Sequence, residues 1–357
     1  MLGARVAPDG TLLGTDTINA STDDQVGPRL AFGGENYLAT WIDRRAGPDQ
    51  VYYTRVTPEG TALETDGRRL LPQDSTLIQL APMPASNGST FLVAWLASGA
   101  GYVVSAARLG FDGDPLDSTA VRFTPDGIFQ WSVASGTNGD DYFVAWCGEV
   151  RGNDSTALCC SRLSAEGAIL DSMPITILSS QTDVADLAVA YLDGTYLVTW
   201  TDWRADGDIY ACRILQDGTV LDTGGFAVCA QPTLQHKPAV AAGTDRFIVC
   251  WSEFQDSTFD VYATGVDLDG HIGIGAGKPA KLTRRASLRA APSPARGAVR
   301  FGPGGTAPIR IFDCRGGLVR VLEGRAWNGL DRTGRPAAAG TYVAVTERAS
   351  CTFLLLR

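Results

Sequence analysis

Residues 196–222 read YLVTWTDWRADGDIYACRILQDGTVLD, and the same pattern recurs in phase along the chain. Its first half is an aromatic residue, three mostly apolar residues and a tryptophan. YLATW (Tyr37–Trp41), FLVAW (Phe91–Trp95), YFVAW (Tyr142–Trp146) and FIVCW (Phe247–Trp251) repeat it. The tryptophans stand 54, 51, 54 and 51 residues apart. Its second half is a short apolar run closing on a turn glycine, and this recurs at Gly60, Gly113, Gly167, Gly218 and Gly270. Arg55, Arg108, Arg162 and Arg213 precede four of these glycines by five places, and Gly265 takes that place in the last. Arg5 and Gly10 match the same mark at the start of the chain. Two independent marks sharing one period of about 52 residues define a repeat architecture.

Each period divides into four strands punctuated by turn residues at the spacing of short antiparallel hairpins. In the fifth, PAVAAG (238–243), RFIVCWSEF and VYATGVDLDG are successive strands, and the Gly-rich run after Gly270 is a weaker fourth. The second strand is apolar on both alternating faces, so it needs cover on both sides. A four-stranded sheet packed between two like sheets is a propeller blade. The expectation is an all-β chain with a propeller of five four-stranded blades over residues 1–281. The first 20 residues supply only a third and a fourth strand. A sixth blade would follow if that hairpin joined a partner, and a further upstream segment is expected. Trp41, Trp95, Trp146, Trp200 and Trp251 are the expected core.

Charge divides the chain at the same place. Residues 282–357 hold thirteen arginines against four acids, a net of +9, leaving −18 on the rest of a chain whose total is −9. An acidic propeller without a basic groove argues against nucleic acid. No run of eighteen apolar residues is present, so no transmembrane helix is expected. Two histidines and three lysines argue against His-rich metal sites and Schiff-base chemistry.

The stretch 196–222 resembles the propeller repeats of large secreted bacterial proteins. The tail, with APSPARGAVRF, IRIFDCRGGLVRVL, WNGLDRTGRPAAAGTYVAV and FLLLR, resembles the FlgD-type immunoglobulin-like module, which overlaps with type IX secretion sorting domains. The matching marks are Ser293-Pro294, the Asp313–Gly316 turn, Trp327-Asn328-Gly329 with Asp331, and Gly340 with Tyr342. The strand before IRIFD departs, FGPGGTAP being shorter than usual. The resemblance implies a small Ig-like β-sandwich over residues 286–357 and a secreted or cell-surface protein whose tail meets a secretion machinery for export or anchoring.

Chemistry-bearing motifs are sparse. An acid stands two places after the tryptophan at Asp43, Asp202 and Glu253. Such acids either line a ring of loops, where they hold calcium or sugar hydroxyls, or cap turns and pair with Arg45 and Arg204. Asp202, Asp206 and Asp208 have part of a calcium-loop spacing, with Arg204 where an oxygen ligand belongs. Trp203 has no counterpart in the other repeats and is a candidate sugar platform. HIGIGAGK (271–278) fails as a phosphate loop, because Pro279 replaces the required Ser/Thr. Eight cysteines either pair, as in exported proteins, or remain buried thiols, with Cys147 beside Cys159 and Cys160, Cys212 with Cys229, and Cys314 with Cys351 as neighbours. The expected function is therefore non-catalytic binding of a glycan or surface protein. Asp43, Asp202, Trp203, Asp206 and Glu253 are the contacts, no residue is catalytic, and calcium is the one cofactor considered. The alternatives are a purely structural surface protein and a propeller glycoside hydrolase or sialidase-like enzyme.

Overall fold

The computed structural model describes residues 1–21, 24–45, 47–71, 78–99, 101–124, 129–150, 155–181, 183–255, 258–273, 280–282, 289–291, 295–296, 298–302, 308–313, 318–338, 340–345 and 350–356. Ser293-Pro294, most of the Asp313–Gly316 turn, Cys314 and most of the Gly-rich run after His271 lie outside them. The described elements are all strands, and no helix is long and apolar enough to cross a membrane.

The chain forms two compact units, Met1–Ala280 and Lys281–Arg357. The first opens with a hairpin, β1 (Leu2–Val6) and β2 (Leu12–Thr17), and continues as a five-bladed β-propeller. Blade I is β3 (Gln25–Phe32), β4 (Tyr37–Asp43), β5 (Gln50–Val56) and β6 (Arg68–Arg69). Blade II is β7 (Gln79–Ser86), β8 (Thr90–Ser98), β9 (Tyr102–Gly110) and β10 (Val121–Arg122). Blade III is β11 (Gln130–Thr137), β12 (Tyr142–Glu149), β13 (Thr156–Leu163) and β14 (Ile175–Ser180). Blade IV is β15 (Val184–Leu192), β16 (Thr195–Asp202), β17 (Asp208–Leu215) and β18 (Phe226–Cys229). Blade V is β19 (Leu234–Ala242), β20 (Phe247–Gln255), β21 (Thr258–Val266) and β22 (Ala280–Leu282). Every blade is an antiparallel meander in chain order, with successive inner strands side by side around the axis.

The five repeat tryptophans are 0–3% exposed, and those of blades II to V pack against the preceding blade, as two-sided apolar strands require. In blade IV every residue of β16 is buried. Blade V differs: β20 alternates, with Ile248 and Phe254 exposed, and among the described residues no further blade follows on that face.

The arginine five places before each turn glycine is an inter-blade clamp. Arg108 in β9 binds Asp117 of its own blade through Nη2 (2.6 Å) and donates through Nη1 to the Ala165 carbonyl of blade III. Arg55 reaches Phe111 O, Arg162 reaches Gln216 O and Arg213 reaches Leu268 O in the same way. Each accepting carbonyl lies two residues before the next blade's turn glycine. Gly167 has φ +91°, and a Cβ there would stand 2.8 Å from the Arg108 guanidinium carbon, so the glycine serves both turn and clamp. Gly265 replaces the arginine in blade V, after which no further blade stands among the described residues.

The second unit has two sheets. One orders β23 (Arg289–Ala291), β25 (Val299–Gly302) and β28 (Ala326–Trp327). The other orders β24 (Ala295–Arg296), β30 (Ser350–Leu356), β29 (Gly340–Val345), β26 (Ile309–Asp313) and β27 (Leu318–Leu322). Trp327, Ile309, Ile311 and Tyr342 belong to its buried core. Cys147, Cys159, Cys160, Cys212, Cys229 and Cys250 are all free thiols.

Candidate functional site

Every inner strand carries an irregularity near its start, at Val26/Arg29, Leu80/Met83, Gln130/Ser132, Ala185/Ala188 and His236/Ala239. Gly27, Ala81, Asp186 and Lys237 occupy equivalent places with φ between 51° and 63°. Proline follows three of them (Pro28, Pro82, Pro238), a residue tolerated where the ladder is interrupted. Bulges re-aim side chains, and here they do so beside the propeller axis. The repeats supply their own control. Blades I to III present Gly27, Ala81 and Ser132 at this place, whereas blades IV and V present Asp186 and Lys237.

A short relay joins those two blades. The Lys237 backbone amide donates to Thr201 Oγ1 (3.1 Å), and that hydroxyl donates to Asp186 Oδ2 (3.1 Å). His236 precedes Lys237, packs edge-on to Phe259, and has a buried Nε2 without a hydrogen-bond partner. Burial lowers its pKa, Lys237 lowers it further and Asp186 opposes, so the imidazole is neutral at pH 7. Asp183 lies exposed three residues before Asp186, with Thr156 Oγ1 at 3.4 Å from its Oδ1. Two half-exposed tryptophans bond the backbone here: the Trp203 amide donates to Asp183 O (3.0 Å), and Trp131 Nε1 donates to Val184 O (2.7 Å). The Trp203 amide bond itself belongs to the backbone network that starts β15.

The acids two places after the tryptophans lie elsewhere. Asp43 and Asp202 are fully buried at the ends of β4 and β16 and accept the indole N–H of Trp41 and Trp200, both at 2.9 Å. Arg45 and Arg204 grip the same carboxylates from the outside. Burial pushes the acids' pKa up, but the guanidinium and indole hydrogen bonds prevail and hold both below the ordinary range. Glu253 likewise accepts from Trp251 Nε1 (3.2 Å) and from Thr233. The alternation of a strand explains this, since positions i and i+2 share a face. Trp203 and Asp206 are exposed in the loop that follows Asp202. With Asp202 engaged on both oxygens, that loop offers a calcium ion the carboxylates of Asp206 and Asp208 alone. Asp208 is buried, and burial with Asp202 and Asp206 nearby raises its pKa. Asp267, Asp269 and His271 also gather ligating atoms within 4.8 Å. There Asp267 caps its own turn by accepting from the amides of Asp269 and His271.

The sequence reading passed over Trp131, Asp183, Asp186 and Lys237 because the bulge that sets them apart has no local motif. Comparing equivalent repeat positions would have exposed them.

No protein-family model matches the chain, and no curated protein matches it. Solved structures share the fold. An endo-arabinase from Bacteroides thetaiotaomicron aligns at 12% identity and a TM-score of 0.45, covering 68% of this chain and 93% of its own. An exo-beta-1,3-galactanase from Phanerochaete chrysosporium aligns at 11% and 0.45, covering 99% and 92%. A Bombyx mori GH32 beta-fructofuranosidase aligns at 9% and 0.45, covering 93% and 86%. At such identities the likeness is one of fold and assigns no residue a role. These neighbours are glycoside-cleaving enzymes, which stands against the expectation of a non-catalytic binding protein, while a likeness at this level gives this chain no activity of its own.

Proposed function

We propose that the propeller is a glycoside hydrolase whose site is the axial end of blades III to V, with Asp183 and Asp186 as its carboxylates. The observation that carries this reading is the bulge position: the repeat is neutral there in blades I to III and charged in blades IV and V. Glycosidic cleavage needs one carboxyl to protonate the leaving oxygen and another to attack the sugar or activate water. Asp186, oriented by the Thr201 hydroxyl, is the nucleophile or base. Asp183, exposed just before β15, passes the proton to the leaving group. Trp131 and Trp203 offer flat apolar faces on which sugar rings stack.

The test is reducing-sugar release from arabinan, β-1,3-galactan, fructan and a wider polysaccharide panel. Asp186→Asn and Asp183→Asn should each lower kcat by at least about 100-fold while the fold is retained. Absence of turnover on every polysaccharide, or full activity in both variants, would sink the reading.

The tail is proposed, from its sequence resemblance and opposite charge, as an Ig-like export or anchoring module of a protein working outside the cell. Removing residues 286–357 should leave the propeller folded but retained in the native host. Normal secretion of the shortened chain refutes this.

A further inference from the structure

The bulge near the start of the inner strands takes a left-handed residue in four of the five blades, and the repeats meet that demand unequally. Gly27 adopts the conformation without strain, and Ala81 adopts it with the smallest side chain after glycine. Blade V puts a lysine there, at φ +55°. A long side chain in this conformation is strained, and such strain persists only where the surrounding structure holds it. What holds it here is buried: the Lys237 amide donates to Thr201 Oγ1, and that fully buried hydroxyl donates on to Asp186 Oδ2. The lysine side chain therefore leaves the backbone two hydrogen bonds from Asp186, at a place where the fold alone would be better served by glycine.

Its charge has no structural use. The chain has three lysines among 30 basic residues, and arginine supplies the ion pairs that bind the blades. Arg204, the cation in the neighbouring loop of blade IV, is held by Asp202 and by the Gly224 carbonyl. Lys237 is exposed, and its ammonium has no partner among the described residues. Burial and then Lys237 lower the pKa of His236 while Asp186 raises it, so both charged side chains stand close to that neutral ring. An unpaired positive charge thus sits beside the proposed carboxylates, in a unit whose net charge is strongly negative.

An ammonium gains little from a neutral sugar, because a hydroxyl replaces water at nearly equal strength; an anion gives it a charge-assisted bond about twice as strong. We propose that Lys237 is a specificity-determining residue that takes an anionic substituent, a carboxylate or a sulfate, of the glycan held at Asp183 and Asp186, so that the substrate class is acidic polysaccharide. What is done to that glycan rests on the hydrolase reading, whereas the capture of its anion rests on the lysine. The same charge offsets the repulsion that a polyanion meets from the acidic propeller, which makes the binding salt-sensitive.

Affinity electrophoresis of the full chain measures this without turnover, in gels holding polygalacturonate or alginate, carrageenan, or neutral arabinan and β-1,3-galactan. Retention by an acidic glycan is expected, weakening as salt is raised. Lys237→Gln should weaken it about tenfold or more relative to the neutral gels, and Lys237→Arg should keep most of it. Retention by the polyuronates, by carrageenan or by both tells which anion fits. Lys237→Gly, which relieves the backbone strain, should lose the retention without lowering Tm. On a glycan that is cleaved, Lys237→Gln should raise KM more than it lowers kcat. Equal retention of Lys237→Gln and the unchanged protein, no retention by any acidic glycan, or a lower Tm for Lys237→Gly overturns the assignment. Turnover confined to neutral glycans, with the same KM in Lys237→Gln, also overturns it while leaving the hydrolase reading intact. Retention that depends on Lys237 without any turnover does the reverse.

Discussion

The Trp200 indole donates its one N–H to Asp202 Oδ2 at 2.9 Å, and neither residue is exposed to solvent. The bond fixes the ring of the repeat's largest side chain from within its own strand. Arg204 completes the arrangement by binding the same carboxylate and lying 4.2 Å over Tyr210, which stacks on Trp200. Blade I repeats it with Trp41, Asp43, Arg45 and Tyr52.

Asp202→Ala should therefore destabilise the propeller by about 2–4 kcal/mol, since it strands a buried indole N–H and a half-covered guanidinium. Asp202→Asn, which keeps an acceptor, should cost about half as much. Urea unfolding of the two variants tests this, and equal midpoints would show that the carboxylate does not orient the ring.

Adjacent glycines give a matched control. A Cβ on Gly225 would overlap the Trp200 ring, whereas one on Gly224 would meet nothing within 4 Å; both have positive φ, +75° and +82°. Gly224→Ala should cost about 1 kcal/mol from backbone strain alone, and Gly225→Ala roughly 2–3 kcal/mol more from overpacking. Thermal melts that rank them the other way would contradict the Trp200 packing.

Arg108→Lys should fail to replace the clamp. Lysine offers one ammonium where arginine spans Asp117 and the Ala165 carbonyl together. A loss of about 1–3 kcal/mol is expected, and a double-mutant cycle with Asp117→Asn should show coupling between the two residues.

Acid should weaken the propeller through Asp43 and Asp202. Their folded pKa values lie below the unfolded ones, so their contribution is complete above about pH 4 and is lost as pH falls through the folded values. Asp208 has the opposite sign. Its raised pKa means that the folded state is penalised at neutral pH, and the penalty is relieved as pH drops toward its folded value. Asp208→Asn should raise Tm at pH 7 by roughly 1–3 °C and give no gain near pH 4; a lower Tm at pH 7 would contradict it.

The propeller was legible because its two marks serve geometry that every blade needs: a tryptophan between sheets, and a glycine under a neighbour's arginine. The same reading took Asp43, Asp202 and Glu253 as loop candidates, since an acid after a strand looks alike whether it faces water or an indole. Asp183 and Asp186 carry no such mark. What distinguishes them is a departure from the repeat at a bulge, and bulges arise from strand pairing rather than local residue choice. The exception at Gly265 was visible as a missing arginine, but only the blade order gives it meaning.

The clamp arginines all point forward along the chain, which has a consequence for biosynthesis. A blade emerging from the ribosome holds its arginine and its own acid, yet the carbonyl that arginine must reach is about one repeat away. At about 5–20 residues per second, that wait is roughly 3–10 s. Until then each newest blade shows an apolar face and a half-satisfied guanidinium. A translational pause at any point before the following repeat's turn is complete should therefore prolong this exposed state and favour aggregation.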